Sequence, residues 1–433
     1  MNAIDLGLGF GLLGGMLAML FIGIPIAYAL LTAGLIGLLL TKPWIAVEFL
    51  VSTFSYSASA NLAYVVLPLF LFMGHMSFSA GIAHRAFDSA RVWVGALPGG
   101  MAIATVFACA GFAAVSGSSL ATTATVAHVA VPRMLSEGYS HAISAGSVAA
   151  AGTLGVLIPP SGLLIVYAIA TETSVPDLFL AGIVPGIMTA IFYAVMLFGW
   201  IKLSPGSGPS TRPTRSTAGE KLAATLNSWE IILLFMIVMG TIYLGIGTAT
   251  EAAAFGAAGA LAIVLFRNEG RARIIWRGLV DTGVTTSSVF LLIIGAGLFG
   301  LALTTTQAPQ QLTLWLTQFD LPIWQLTLLL LLPYIFLGFF VDGITMMLLT
   351  LPIIFPVVVD AGIHPILFGI LVTKCAEIGA ITPPVGLNIF VVKNTVPEIN
   401  IMQAFRGAIP FVLVELVIIG LLVGFNDIAL VLL

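Results

Sequence analysis

Two short polar segments interrupt long apolar stretches of this sequence, and they hold the residues whose types best suit ion binding. The segments are Ser116-Gly117-Ser118-Ser119 and Asp342-Gly343-Ile344-Thr345. If the apolar stretches cross a membrane, unpaired N–H and C=O groups have to line protein or water, because lipid offers them no partner. A helix that ends there offers carbonyl oxygens to a cation, and a helix that begins there offers N–H groups to an anion. The segments therefore predict an ion or substrate site, with close packing of small residues as the alternative.

Pairs of prolines interrupt two further apolar stretches. They are Pro159-Pro160, within Leu157–Gly162, and Pro383-Pro384, within Ile381–Asn388. Two prolines remove two N–H donors, so carbonyl oxygens one turn earlier lose their helical partners. Several such oxygens suit a hard cation such as Na⁺, whereas the alternative is a simple kink. The freed oxygens are expected near Gly155, Val156, Gly379 and Ile381.

A polar side chain follows each proline pair, directly after the first and four residues after the second. Ser161 and Asn388 stand where the second half-helices begin, so we predict that they contact a substrate. Asp342 is the best candidate among the charged residues of the apolar stretches, because intramembrane charges are costly and usually functional. Lys374 and Glu377 stand three residues apart and are interpreted as neutralising each other. Glu415 is assigned a structural role near the edge of a span, as is Glu251.

The composition defines the class of protein that these segments serve. The chain has 433 residues, of which 60% are hydrophobic and only 8% are charged, against about 25% charged residues in soluble domains. This excludes a cytosolic enzyme, a nucleic-acid binder and a disordered chain. The apolar runs are too long and continuous for a β-barrel, whose strands alternate over roughly ten residues. We therefore predict an all-α polytopic membrane protein.

Apolar runs of ~20 residues, the length of a membrane-spanning helix, define the organisation. Plain spans are predicted at 6–22, 25–40, 62–82, 178–203, 229–247, 250–266, 284–303 and 403–425. Residues 98–137 and 322–361 each hold a polar break and are predicted to form re-entrant hairpins. Residues 141–173 and 365–396 hold the proline pairs and are predicted broken helices. An interfacial helix is predicted at 42–60.

The two halves of the chain repeat the same order of breaks. A set of glycines and prolines recurs at an offset of 224 residues: Pro132, Gly138, Gly155, Pro159, Pro160 and Gly162 precede Pro356, Gly362, Gly379, Pro383, Pro384 and Gly386. The predicted repeats are 1–203 and 229–433, joined by a polar, flexible cytoplasmic linker at 204–228.

The basic residues predict how the repeats are oriented. Three clusters are placed in the cytoplasm by the positive-inside rule: Arg85 and Arg91; Lys202, Arg212, Arg215 and Lys221; Arg267, Arg271, Arg273 and Arg277. The stretch 304–321, with Asp320 and no basic residue, is expected outside. Each half then makes five crossings, and an odd number inverts the second half relative to the first. Inverted repeats with broken helices are typical of secondary transporters.

Four motifs resemble those of the large membrane subunit of tripartite ATP-independent periplasmic (TRAP) transporters, the DctM-like family. In chain order they are Phe112–Thr122, Ile158–Ser161, Gly338–Gly343 and Ile381–Asn388. The resemblance covers essentially the whole chain. It implies an elevator, in which a transport domain carrying both hairpins moves against a scaffold, and a location in the bacterial or archaeal inner membrane.

Together with the breaks, the resemblance implies two Na⁺ sites, each where a hairpin tip meets a broken helix, with the substrate between them. Expected Na⁺ site residues are Ser116, Gly117, Ser118, Ser119, Thr122, Gly155, Val156, Pro159, Asp342, Gly343, Thr345, Gly379, Ile381, Thr382 and Pro383. Expected substrate contacts are Ser118, Ser161, Gly386 and Asn388.

The resemblance also implies partners. A periplasmic binding protein would deliver a small organic anion, a carboxylate or sulfonate such as a C4-dicarboxylate or a sialic acid. A separate small four-helix membrane subunit would brace the scaffold. The alternatives are a stand-alone divalent-anion/Na⁺ symporter, a channel and an intramembrane protease. No histidine is credibly placed beside either serine segment for proteolysis, so no enzymatic activity is expected.

Overall fold

The computed structural model describes residues 3–204, 206, 208, 216–267, 270–319 and 321–433. Within these residues the chain is helical and contains no strand. The α-helices are α1 (Ala3–Phe21), α2 (Ile26–Thr41), α3 (Trp44–Ala60), α4 (Val66–Ser79), α5 (Ile82–Val94), α6 (Gly100–Ser116), α7 (Ser119–Ser136), α8 (His141–Thr153), α9 (Gly162–Thr171), α10 (Val175–Leu203), α11 (Ala218–Asn227), α12 (Trp229–Tyr243), α13 (Ala249–Arg267), α14 (Arg271–Thr305), α15 (Ala308–Thr317), α16 (Ile323–Gly338), α17 (Gly343–Asp360), α18 (Pro365–Ile381), α19 (Leu387–Thr395), α20 (Ile401–Gly424) and α21 (Asp427–Leu430). Arg212, Arg215 and Asp320, used above to assign sides, lie outside the described residues.

Six helical segments of the described chain are long and apolar enough to cross a membrane. They are Leu62–Ser79, Val175–Leu203, Ala249–Arg267, Arg271–Thr305, Gly343–Asp360 and Ile401–Gly424. The bent pair of α11 and α12, which meet at 57°, gives a seventh if it is counted as one span. The prediction of an all-helical, multi-pass membrane protein is confirmed.

The helix boundaries differ from the sequence prediction in several places. Helix α14 begins 13 residues before the predicted span 284–303, and α15 forms within the stretch 304–321, where no helix was predicted. Residues 218–227 of the predicted flexible linker form α11, which begins with a capping box: Thr217 accepts from the Glu220 N–H, and Glu220 accepts from the Thr217 N–H. Helix α5 was not predicted, because His84, Arg85 and Asp88 make its sequence too polar for a span. Helices α5 and α11 are both amphipathic.

Helices α6 and α7 fold back on each other. Helix α6 ends at Ser116, Gly117 adopts φ 62°, and Ser118 begins the next turn as the N-cap of α7. At the other end, the Met101 N–H donates to the Tyr139 hydroxyl, which follows α7, at 3.3 Å. The chain thus returns to the level at which α6 began. The second polar break, at 339–342, separates α16 from α17 in the same order.

Both proline pairs separate a long half-helix from a short one. Helix α8 ends in a 3₁₀ turn, Leu154–Val156, before α9, and α18 ends at Ile381 before α19. The Pro159-Pro160 and Pro383-Pro384 peptide bonds are both cis. Breaks therefore occur where the sequence predicted them.

The two halves pack together through backbone as well as side chains. A Cβ at Gly146 of α8 would lie 2.4 Å from the Gly407 carbonyl carbon of α20. A Cβ at Gly407 would lie 1.9 Å from the Ala142 carbonyl oxygen. Since any side chain here would collide with backbone, α8 and α20 are held at a close approach that only glycine permits.

Residues from the three basic clusters approach one another. Arg85 of α5 and Arg267 of α13 share the buried carboxylate of Glu230, with N–O distances of 3.3 and 2.7 Å. Lys221 of α11 lies over the Trp93 ring of α5, 5.4 Å from its centroid. These contacts bring α5, α11 and the end of α13 to one region. This agrees with the prediction that the three basic clusters lie on the same side of the membrane.

Candidate functional site

The first hairpin tip gathers four of the predicted Na⁺ site residues. The Thr122 hydroxyl donates to the Ser118 carbonyl oxygen at 2.7 Å. A hydroxyl has one hydrogen, so Ser116 must be the donor in the 2.8 Å contact between the Ser116 and Thr122 hydroxyls. Gly155 lies against the same group, because a Cβ there would be 2.6 Å from the Ser118 carbonyl oxygen and 2.9 Å from the Thr122 hydroxyl. Hydroxyl and carbonyl oxygens are thus concentrated at one place.

The same tip contacts the first proline break directly. The Gly162 N–H, just after the break, donates to the Gly117 carbonyl at 3.2 Å. A Cβ at Gly117 would lie 2.9 Å from the Pro160 carbonyl oxygen. Pro159 and Pro160 are buried. The predicted pairing of the first tip with the first broken helix is therefore present in the structure.

Two predicted substrate contacts serve as helix caps. The buried Ser161 hydroxyl accepts from the Leu164 N–H at 3.2 Å and donates to the Val156 carbonyl. The Ser118 hydroxyl accepts from the Ala121 N–H at 3.4 Å. Such caps satisfy N–H groups that have no helical partner. Ser161 has given its hydrogen to the protein, so only a lone pair is left for a ligand.

Asp342 occupies the corresponding cap at the second tip. Its Oδ2 accepts from the N–H groups of Ile344 and Thr345, at 3.1 and 3.3 Å. Its side chain is half-buried, and Thr345 is buried. Both bonds engage Oδ2, so Oδ1 faces no hydrogen-bond donor among the described residues. The second tip therefore carries a carboxylate where the first tip carries hydroxyls.

The second tip and the second broken helix also meet. A Cβ at Gly379 would lie 2.3 Å from the Gly338 carbonyl, at the end of α16. A Cβ at Gly343 would lie 3.1 Å from Ala376 of α18. The Thr382 hydroxyl donates to the Ile378 carbonyl at 2.6 Å.

The remaining residues of the second break are less enclosed. Pro383 and Pro384 are exposed, whereas Ile381 is buried. Gly386 adopts φ 60° as the N-cap of α19, and a Cβ there would lie 2.6 Å from the Phe405 ring. The structure therefore brings Gly379, Asp342, Gly343 and Thr345 to neighbouring segments, whereas Pro383 is exposed.

Asn388 and Ser119 connect the two halves. The Asn388 amide nitrogen donates to the Ser119 hydroxyl at 2.7 Å and to the Ala149 carbonyl at 3.0 Å. Asn388 is fully buried. These contacts use both hydrogens of the amide, so the amide nitrogen has none left for a substrate.

A buried ionic cluster lies one to two turns before α18 ends at the second break. Lys374 contacts the carboxylates of Glu377 and Glu415, the latter at 2.6 Å, and donates to the Thr189 hydroxyl at 2.9 Å. The Tyr193 hydroxyl donates to Glu415. The predicted Lys374–Glu377 pair is confirmed. The placement of Glu415 near a span edge is wrong, because Glu415 lies inside α20 and is fully buried. Sequence spacing gave no signal for this contact, since 41 residues separate Lys374 from Glu415.

The oxygen atoms at both tips fit a hard cation. The first tip offers neutral hydroxyl and carbonyl oxygens, and the second adds a carboxylate. This donor chemistry suits alkali and alkaline-earth ions better than soft metals, which prefer thiolate or imidazole. The residues present therefore fit Na⁺.

A multi-pass helical chain whose helices break beside polar residues is typical of membrane transport proteins. The chain belongs to the family described as tripartite ATP-independent periplasmic transporter, DctM component, whose model matches residues 13–427. This is a family of transport proteins rather than enzymes, and its permeases are inner-membrane proteins.

Individual relatives agree with this assignment. The chain is 38% identical over 84% of its length to the C4-dicarboxylate TRAP transporter large permease protein DctM of Pseudomonas aeruginosa, covering 84% of that protein. It is 33% identical over 92% of its length to the isethionate TRAP transporter permease protein DctMQ of Oleidesulfovibrio alaskensis, covering 62% of that protein. The crystal structure of the YdaH transporter of Alcanivorax borkumensis has a similar fold, with a TM-score of 0.63, 16% identity, and coverage of 96% of this chain and 99% of that one.

Proposed function

We propose that this chain is the membrane-embedded transport subunit of a Na⁺-coupled, binding-protein-dependent secondary transporter that imports a small organic anion. The observation that carries this proposal is the contact of each hairpin tip with a broken helix, with oxygen ligands at both tips. Membership in the TRAP family supplies the transport class.

Na⁺ would be a transported coupling ion held at the two tips. At the first tip, Ser116, Ser118 and Thr122 would offer hydroxyl or carbonyl oxygens beside Gly155. At the second tip, Asp342 would compensate the charge of the cation. The first site has only neutral oxygens, so its cation would keep a net positive charge that favours a nearby anionic substrate, and binding of ion and substrate would favour each other.

An elevator movement of an inverted-repeat transport domain is the mechanism we propose. It is supported by the 224-residue offset, at which tips and proline breaks recur in the same order. It is supported further by the cross-contacts between halves, such as Asn388 with Ser119. These contacts would let both tips move as one body past a frame that includes the packed helices α2 and α14.

The substrate class is proposed from the relatives. The names of two relatives specify a C4-dicarboxylate and isethionate. A carboxylate or sulfonate is therefore the expected group, delivered by a periplasmic binding protein. A small four-helix membrane subunit is the second proposed partner. Helix α3 offers it exposed apolar side chains, among them Trp44 (67% exposed), Ile45 (80%) and Tyr56 (75%).

Reconstitution tests the proposal. The chain would be placed in proteoliposomes alone, with the small subunit, and with the small subunit plus the loaded binding protein. We expect uptake of the bound organic anion only with all three components and an inward Na⁺ gradient, without ATP. Replacing Na⁺ by K⁺ is the control. Na⁺-driven uptake by the isolated chain would instead support a stand-alone symporter, and gradient-independent currents would support a channel.

A further inference from the structure

The two halves contact each other at positions that match in the repeat to within one residue. At the first tip, Ser119 contacts Asn388, at the start of the second broken helix's short half. At the second tip, a Cβ on Gly343 would lie 3.1 Å from Leu163, at the start of the first broken helix's short half. Gly343 follows Ser119 by the same 224 residues that separate the proline pairs. Each tip thus rests on the broken helix of the other half.

These two cross-contacts differ in chemistry. The Gly343–Leu163 contact is apolar. In the other contact the Asn388 amide donates to Ser119 at 2.7 Å, and the Ser119 hydroxyl lies 3.1 Å from the Asn388 carbonyl oxygen. At the repeat offset, Leu164 takes the place of Asn388. Of these two tip contacts, the one between Ser119 and Asn388 is a directional polar link, whereas the one between Gly343 and Leu163 has no such direction.

The polar link bears on the oxygen atoms of the first tip. Ser119 directly follows Ser118, whose carbonyl accepts from Thr122 and lies against Gly155. Asn388 directly follows the first residue of α19, two residues after Gly386. A shift of the second broken helix would therefore pull on Ser119 and change the position of the Ser118 carbonyl.

We propose that Asn388 is a positioning residue that fixes the first hairpin tip against the second broken helix and thereby couples the two ion sites. This inference rests on the proposed Na⁺-coupled function. It assigns Asn388 a role within the protein instead of the substrate contact expected from sequence. The amide supports this assignment because both of its hydrogens already have protein acceptors.

The central test replaces Asn388 by the residue found at the matching position. Asn388→Leu should raise the Na⁺ concentration for half-maximal uptake about tenfold, within the range of ordinary coupling between sites. The Hill coefficient for Na⁺ should fall towards one, while the maximal rate stays within about twofold, because ion ligands and substrate contacts remain. The assay uses the complete reconstituted transporter with its binding protein.

The matched control is Asn394→Leu, an exposed position on the same helix α19. It should leave the Na⁺ curve unchanged. Ser119→Ala provides a second way to remove the link if Asn388→Leu does not fold. The double variant Ser119→Ala with Asn388→Leu should need no more Na⁺ for half-maximal uptake than either single variant, because both substitutions remove the same bond. The exchange Ser119→Asn with Asn388→Ser should restore part of the cooperativity.

The outcomes separate this inference from the proposed function. If wild-type uptake ignores Na⁺, the proposed function itself is wrong. If wild-type uptake is Na⁺-dependent and cooperative but Asn388→Leu keeps the same Hill coefficient, the coupling role is wrong. If Asn388→Leu raises only the substrate concentration for half-maximal uptake and leaves the Na⁺ curve unchanged, Asn388 contacts substrate and the positioning role is overturned.

Discussion

The two proline breaks have the same order of elements but opposite degrees of enclosure. At the first, Pro159 and Pro160 are buried and the Gly162 N–H bonds to the hairpin tip. At the second, Pro383 and Pro384 are exposed, and the cap of α19 is a glycine without a side-chain bond. Similar local sequences thus form one closed break and one open break.

The two halves also differ in the charged groups at their tips and breaks. The first tip holds hydroxyl and carbonyl oxygens, and the position that matches Lys374 in the first half is Ala150. The second half has Asp342 at its tip and the Lys374 cluster one to two turns before its break. The comparison indicates that the first site relies on close packing of neutral oxygens, whereas the second relies on formal charge.

The largest expected effect comes from removing the charge at the second tip. Asp342→Ala deletes the one carboxylate that the described residues place at either tip, together with the cap of α17, so uptake should collapse, on the order of 100-fold, even at saturating Na⁺. Asp342→Asn, which retains a capping oxygen, separates the lost cap from the lost charge. If Asp342→Ala takes up substrate at the wild-type rate, Asp342 is not part of the ion site, and charge does not distinguish the two tips.

The buried cluster beside the second break should dominate stability. Lys374→Met leaves the carboxylates of Glu377 and Glu415 without their ammonium, and breaking a buried pair in this way typically costs about 3–5 kcal/mol. Thermal unfolding in detergent should show a large decrease in Tm. The control is Lys393→Met, on α19, where the half-buried ammonium donates to the carbonyl oxygens of Pro397 and Ile399 and to no carboxylate among the described residues. An unchanged Tm for Lys374→Met would show that charge does not hold the second break.

Hydroxyl removal at the first tip should have a moderate effect. Thr122→Val conserves shape but loses the bond to the Ser118 carbonyl, worth about 1 kcal/mol. The Na⁺ concentration for half-maximal uptake should rise roughly fivefold while the maximal rate is kept. Thr125→Val, one turn further along α7 with its hydroxyl on the Ala121 carbonyl, is the control. If uptake depends on Na⁺ concentration in the same way for both variants, Thr122 serves packing rather than ion binding. Ser118→Ala is compared with Thr125→Val in the same way.

The smallest effect is expected at the cap after the first break. Ser161→Ala removes a cap and the donor to the Val156 carbonyl, so unfolding free energy should fall by about 1–2 kcal/mol. Uptake should persist with an unchanged Na⁺ curve, because tip oxygens remain. A loss of uptake without a change in Tm would instead identify Ser161 as a substrate contact.

Local chemistry explains which features the sequence predicts well. Glycine and proline act on the backbone of their own segment, so the breaks at Gly117 and Pro159-Pro160 are visible without tertiary information. The ionic and polar links are different. Asn388 meets Ser119 across 269 residues, and no spacing rule connects such positions. Helix α11 was missed because its composition is that of a linker, although Thr217 and Glu220 form its capping box.

The position of Glu377 has a consequence for how the chain enters the bilayer during synthesis. Helix α18 emerges from the ribosome before α20, so Lys374 reaches the membrane while Glu415 has not yet been made. A lone lysine at the centre of an inserting helix opposes partitioning by about 2.5–3.5 kcal/mol. Glu377, one turn away on the same helix, travels with Lys374 and supplies its counter-charge at once. Helix α18 can therefore leave the translocon as an internally neutral segment and acquire Glu415 later, when α20 arrives.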